Sequence, residues 1–253
     1  MTAISGRATD ATTTDGRVLR LEGVSRTYRQ GEEEVVALAP TDLSVRTGSF
    51  VAVMGPSGSG KSTMLMLMGG LAEPTTGRVH VEGRDVAALS PAARSELRRR
   101  RIGFVFQDLN LLPGLTALEN VSLPLELDGI RSVRAQRSAA QALARVGLDE
   151  LHDRFPDELS GGQRQRVAIA RATVGERRLL LADEPTGALD TVTGESVMRL
   201  LRAHCDDGGT VVMVTHDARL ASWADRVVFL RDGRVVDDAT DVGPASLLDG
   251  GER

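Results

Sequence analysis

Lysine is almost missing from this chain of 253 residues. Of its 31 basic residues 30 are arginine, and Lys61 is the single exception. A genomic drift that writes arginine wherever either residue serves explains the bias but not the exception. A compact ammonium on a thin stem fits where a broad planar guanidinium does not, so position 61 is expected to be sterically tight. Cysteine is as scarce: Cys205 alone can close no internal disulfide, form no redox pair and build no Cys-type zinc site, which fits a reducing compartment. Long apolar runs are lacking too. No stretch approaches the roughly 18 uncharged residues that a bilayer-spanning helix requires, so the chain is not expected to cross a membrane by itself. Excess positive charge is also absent. A net charge of −4 supplies no long-range field for phosphate backbones, and no nucleic acid is expected as a partner. The opening MTAISGRATDATTTDGR has no apolar segment of the secretory kind, so residues 1–16 read as a tail, residues 244–253 as a second one, and the location as cytoplasmic.

What is present is ordinary in amount and orderly in arrangement. Hydrophobic residues make up 41% and charged residues 26%, as in soluble folded chains. Residues 17–28 and the segments 34–40 and 41–48 alternate apolar with polar and predict antiparallel strands with one wetted face. SFVAVMG (49–55) and RLLLADE (178–184) are continuous apolar runs, as is TVVMVTH (210–216), the pattern of buried parallel strands. GRVHVEG (77–83), RIGFVFQ (101–107) and the segments around RVVFLRDG and RVVDD add further strands. Helices are predicted after Lys61, from Ser90-Pro91 onward, over 117–127 and 132–146, after Ser160, and across VTGESVMRLLRAH. Strands alternating with helices imply a mostly parallel sheet covered on both faces, with a leading β layer and a small helical subdomain inserted at 108–172; the domain as a whole is expected to span 17–243.

Three places concentrate chemistry. Gly55-Pro56-Ser57-Gly58-Ser59-Gly60-Lys61-Ser62, followed by Thr63, fits G-x-x-x-x-G-K-S/T and lies between an apolar strand and a helix. Its glycines let backbone N–H groups converge on an anion at a helix N-terminus. Lys61 would reach the outer phosphates, and Ser62 would join the oxygen shell of Mg²⁺. Asp183 and Glu184 end an apolar strand where a parallel sheet places its ligands. Because neighbouring strand residues point to opposite faces, the two are expected to divide their work: Asp183 on Mg²⁺ and Glu184 on the attacking water. Ser160-Gly161-Gly162-Gln163 opens a second helix with small, uncovering residues, and so offers a second anion-binding end.

These motifs, with Gln107 after a strand, Ala188-Leu189-Asp190, and Thr215-His216-Asp217 after a further strand, resemble the ATP-binding subunit of ABC transporters in the family's order over 18–238. The resemblance implies a P-loop NTPase of the ABC type, with a RecA-like core, an antiparallel β subdomain and a helical signature subdomain. It implies ATP and Mg²⁺ as cofactors, a head-to-tail homodimer in which LSGGQ (159–163) of one copy faces the γ-phosphate held by the other, and integral membrane permease subunits as partners. By the same resemblance Gln107 is a catalytic and Mg²⁺-sensing residue, His216 contacts the γ-phosphate, Asp190 crosses between copies, and Tyr28 stacks on adenine.

GFVFQDLNLLPGLTALENVSLPL and ADEPTGALD are most similar to the branch serving lipoprotein release and macrolide-type efflux, with a cell-division member close by. That likeness implies a permease with a large extracytoplasmic domain, a location on the inner face of the plasma membrane, and export of a lipid, peptide or drug-like substrate. Two departures are GERR (175–178), where a proline is common in the family, and Arg164, where a second Gln is frequent. A non-transporting ATPase coupled to cell-wall or division enzymes is the alternative reading. A soluble ABC ATPase would need a long coiled coil or two heads in one chain, and neither is present. The run Arg98–Arg101 is expected to be a solvated helix face, since no aromatic interleaves with it.

Overall fold

The computed structural model describes residues 16–31, 33–187 and 189–240. The tails expected at 1–16 and 244–253, residue 16 excepted, and Ala188 of the Ala-Leu-Asp motif lie outside these residues.

Two sheets carry the molecule. In the first, β1 (Arg17–Gln30) pairs antiparallel with β2 (Glu33–Arg46) and with β4 (Thr76–Val81), and a two-residue strand β5 (Arg84–Asp85) closes the edge. The two segments expected over 34–48 are thus one strand. Register shifts around Val24 and Arg26 let it run unbroken past Pro40, as bulges do.

The second sheet has six strands in the order β10-β9-β3-β8-β7-β6: β10 (Arg234–Thr240), β9 (Arg226–Arg231), β3 (Phe50–Met54), β8 (Thr210–Thr215), β7 (Leu179–Asp183) and β6 (Ile102–Val105). All its pairings are parallel except β9 with β10. Its central strands are apolar along their interior because both faces are covered. Phe50, Ala52, Met54, Leu180, Ala182, Val211 and Met213 face one core, while Val51, Val53, Leu179, Leu181, Val212 and Val214 face the other. The pleat's period of two splits each strand between them.

Helix α1 (Lys61–Met68) and α2 (Pro91–Arg101) cover the second core. The first is covered by α3 (Ala117–Glu126), α4 (Ser132–Arg145), α5 (Gly161–Thr173) and α6 (Thr191–Asp206), with the single-turn α7 (Ala218–Ala221). The α2 start follows the sequence closely, with Ser90 accepting from Ala93 N and Pro91 at the first helical position.

The run Arg98–Arg101 is not the solvated face expected. Arg98 donates to Gly70 O at 3.0 Å, Arg99 and Arg100 both grip Asp128, and Arg101 pairs with Glu82. Four adjacent guanidiniums lash α2 to its surroundings because a one-residue step turns each to a different neighbour. In GERR, Arg177 is buried and donates to Arg99 O (2.9 Å) and Arg171 O (2.7 Å), so it ties the C-terminal ends of α2 and α5; desolvation lowers its pKa to about 10. No helix among the described residues is long and apolar enough to cross a membrane.

Candidate functional site

The loop after β3 turns into α1 without a capping side chain. Its N-cap is Gly60 at φ 100°, a conformation that favours glycine, and a Cβ there would meet Ala37 O at 2.2 Å. At Gly55 a Cβ would lie 2.0 Å from Leu230 O, so the loop's near end must approach β9 bare. The first N–H groups of α1 are thereby left open to an anion. Lys61 is only 8% exposed and donates to Gly55 O (2.8 Å) and Pro56 O (2.9 Å), folded against its own loop. That burial bears out the tight position inferred from its isolation in the sequence.

A cleft of about 610 Å³ opens at this loop, within the range of small-molecule sites. Pro56, Ser57, Gly58, Gly60, Lys61, Ser62 and Thr63 line it, together with Gln107, Asp183, Glu184 and His216. Gly55 and Ser59 do not; they sit behind, where Gly233 N donates to Ser59 O. Ser62 Oγ donates to Asp183 Oδ1 at 3.2 Å. Burial pushes the Asp183 carboxyl above the usual carboxylate range, and the neighbouring charge of Glu184 adds to that, against the Ser62 hydrogen bond and Lys61. A desolvated carboxylate beside a hydroxyl, in a cleft that Gln107 also lines, is an oxygen donor set that suits Mg²⁺.

Glu184 and Asp183 do divide their contacts, but not through the pleat. The strand ends at Asp183, and Glu184 stands at φ 44°, left-handed for a residue with a side chain. That turn brings Glu184 Oε2 to the Thr215 hydroxyl (3.2 Å) and Oε1 to His216 Nδ1 (2.8 Å). Thr215 Oγ1 in turn accepts from Asp217 N at 3.1 Å. Nδ1 is taken up by this contact, and Nε2 is left for a third group.

Ser160, Gly161, Gly162 and Gln163 lie elsewhere, in a separate cavity of about 450 Å³ with Asp190, and no residue lines both cavities. The start of α5 is less open than expected. Ser160 Oγ accepts from Gln163 N and Gln163 Oε1 accepts from Ser160 N, a reciprocal capping box that occupies the N–H of Gln163. Asp190 caps α6, taking Thr193 N (3.0 Å) and the Thr193 hydroxyl (2.7 Å), and these bonds hold its carboxyl below the usual range. Tyr28 is 36% exposed with the Arg26 guanidinium 4.5 Å from its ring centre, outside the cleft lining.

Sequence reading missed two residues that shape the segment after Gln107. Arg171 on α5 donates to Asn110 O (2.5 Å) and Leu109 O (2.6 Å), two residues with left-handed φ of 48° and 59°. Buried Asn120 donates to Leu112 O, Leu115 O and Thr116 O and accepts from Leu112 N. The one visible signal for Arg171 is an arginine set among the small apolar residues of VAIARA.

The comparisons agree with this geometry. The ABC transporter family description matches residues 38–187. An uncharacterized ABC transporter ATP-binding protein of Methanocaldococcus jannaschii, MJ0796, is 47% identical over 86% of this chain and 95% of its own. The macrolide export ATP-binding/permease protein MacB of Salmonella typhimurium is 47% identical over 87% of this chain, which spans 34% of that longer protein. Among solved structures, the dimeric post-hydrolysis state of the MJ0796 cassette bound to ADP and Pi superposes with a TM-score of 0.83 at 43% identity, covering 89% of this chain and 99% of that one. Residues, cleft and relatives together place this chain in the ABC transporter family as an ATP-binding, ATP-hydrolysing cassette.

Proposed function

We propose that two copies of this chain pair head to tail, so that the signature residues Ser160–Gln163 of each complete the phosphate-loop cleft of the other, and that ATP binding and hydrolysis there drive a separate membrane permease. The carrying observation is the division just described: two cavities, each built from one set of ATP-site motifs, with no lining residue in common. The dimeric structure of the MJ0796 cassette supports the same reading. Within the cleft, Lys61 and the open N–H groups of α1 hold phosphate oxygens, while Ser62, Asp183 and Gln107 would hold Mg²⁺, which would supply positive charge against the phosphates. Glu184 takes the proton of the attacking water, and His216, held by Glu184 through Nδ1, presents Nε2 to the γ-phosphate. Tyr28 offers the ring face not covered by Arg26 to adenine.

The permease reading draws support from the MacB relatives, whose names join an ATP-binding and a permease part. From it follow a peripheral place on the inner face of the membrane, a partner with a large extracytoplasmic domain, and export of a lipid, peptide or drug-like molecule. Glu184→Gln tests the shared site. It should run as a monomer on gel filtration without ATP and as a dimer with it, and adding Ser160→Arg should return it to a monomer. A dimer indifferent to Ser160→Arg would take the signature out of the shared site.

A further inference from the structure

Most arginines on the helices of this chain are tied to acids or to backbone carbonyls. Arg100 pairs with Glu96 at 2.8 Å, Arg199 with Glu195 at 3.1 Å, Arg202 with Asp206 at 3.0 Å and Arg219 with Asp217 at 2.8 Å. Helix α4 breaks the pattern. Its sequence, SVRAQRSAAQALAR, contains no acid at all, and Arg131 stands directly before it. Arg131, Arg134, Arg137 and Arg145 are all exposed, and none has an ion-pair or hydrogen-bond partner among the described residues. On the N-terminal side the nearest acids are engaged elsewhere: Asp128 by Arg99 and Arg100, and Glu126 by the hydroxyls of Ser122 and Ser132.

The spacing makes these four a single feature. At 3.6 residues per turn Arg134, Arg137 and Arg145 share an arc of about 80° on the exposed side of the helix, beside the stripe of buried Ala135, Ala139, Ala142 and Leu143, and Arg131 stands at its N-cap. The stripe runs about 21 Å at 1.5 Å per residue. Two of its arginines, Arg131 and Arg134, stand at the uncapped N-terminal end, where the helix dipole disfavours cations and where a purely solvated helix would place acids. The chain thus keeps positive charge where local structure argues against it, and breaches of a local rule tend to mark function. At the same end Val133 is 74% exposed and Leu127 66%, beside a shallow groove lined by Ile130, Val133 and the three N-terminal arginines.

We propose that the outer face of α4 is a docking surface for an anionic lipid bilayer, apart from the ATP site and additional to any contact with a permease. A row of long, separate cations on a convex helix matches negative charges spread over a plane, and guanidinium forks suit phosphate esters. Exposed aliphatics at one end suit the boundary between headgroups and acyl chains. Nucleic acid fits less well, because no aromatic interleaves with the stripe. The assignment rests on the permease reading only in placing the cassette near a membrane, and its flotation readout needs neither permease nor turnover.

The test is flotation of the full chain with phosphatidylcholine vesicles, with and without phosphatidylglycerol. Binding should require phosphatidylglycerol and weaken as salt is raised. The variant R131Q/R134Q/R137Q should lose about fivefold in partitioning per charge removed, about a hundredfold in all, while the matching triple lysine variant keeps most of it. An ATPase rate equal to wild type shows that the glutamine variant is folded. Equal flotation with both vesicle types, or a glutamine variant that floats like wild type, overturns the proposal. A glutamine variant that floats normally but no longer co-purifies with a membrane protein assigns the stripe to an acidic protein segment instead.

Discussion

The two phosphate-directed helix ends of this chain are built in opposite ways. At α1 the backbone is held in conformations only glycine favours, the helix is uncapped, Lys61 is buried and Asp183 half-buried, and neither makes an ion pair among the described residues. At α5 the capping box of Ser160 and Gln163 closes on itself, and Asp190 is content as the cap of α6. The first is organised around a guest. The second is already satisfied and reads as the start of an ordinary helix. A site of the first kind is costly to keep without ligand, whereas one of the second kind acquires a purpose only against another surface.

The comparison can be broken most severely at the catalytic carboxylate. Glu184→Gln should lower ATP turnover by about 10² to 10⁴-fold, the usual worth of general base catalysis, while nucleotide binding measured by fluorescent ATP analogues persists. Lys61→Arg comes next. Charge is kept, but the wider fork cannot occupy a position 8% exposed, and turnover should fall by on the order of 10²-fold; wild-type phosphate release would show that the pocket is not tight. Arg171→Ala should reduce turnover by about tenfold through loss of the two carbonyl bonds that fix residues 109 and 110, with a raised Mg²⁺ requirement as the sign that Gln107 has moved.

The smallest effect concerns stability. The carboxyl of Asp183 titrates higher in the folded chain than in the unfolded one, so as pH rises the unfolded chain gives up its proton first and the fold loses stability. Asp183→Asn should therefore raise the melting temperature of the nucleotide-free protein at neutral pH, by a few °C at most, and the gain should vanish in acid, where Asp183 is protonated in both states. A variant that melts lower at neutral pH would mean that the site is not strained by its buried charge.

The parallel core was legible because apolar runs such as FVAVM and VVMV cannot be buried on one face only. The phosphate loop was legible because its glycines sit at fixed offsets from Lys61. Other features escaped for physical reasons. Period-two reasoning assigned Glu184 to the pleat, but the chain leaves the strand one residue earlier and turns it by φ. The spacing Ser160 to Gln163 is that of a capping box, yet the two glycines between suggested openness instead. Arg171 and Asn120 act through carbonyls far along the chain, which no local pattern encodes. The arginine run at 98–101 looked solvated because the acids that hold it, Asp128 and Glu82, come from distant segments.

The parked ammonium of Lys61 also makes this chain an unusual substrate for digestion. A protease that cuts only after lysine has one bond to attack, between Lys61 and Ser62, at the first turn of α1. Cleavage there requires the loop and that turn to open, so the rate at which two fragments appear reports opening at the nucleotide cradle, whether local or through unfolding of the whole domain. Nucleotide should slow that single cut in proportion to how firmly it holds the cradle shut.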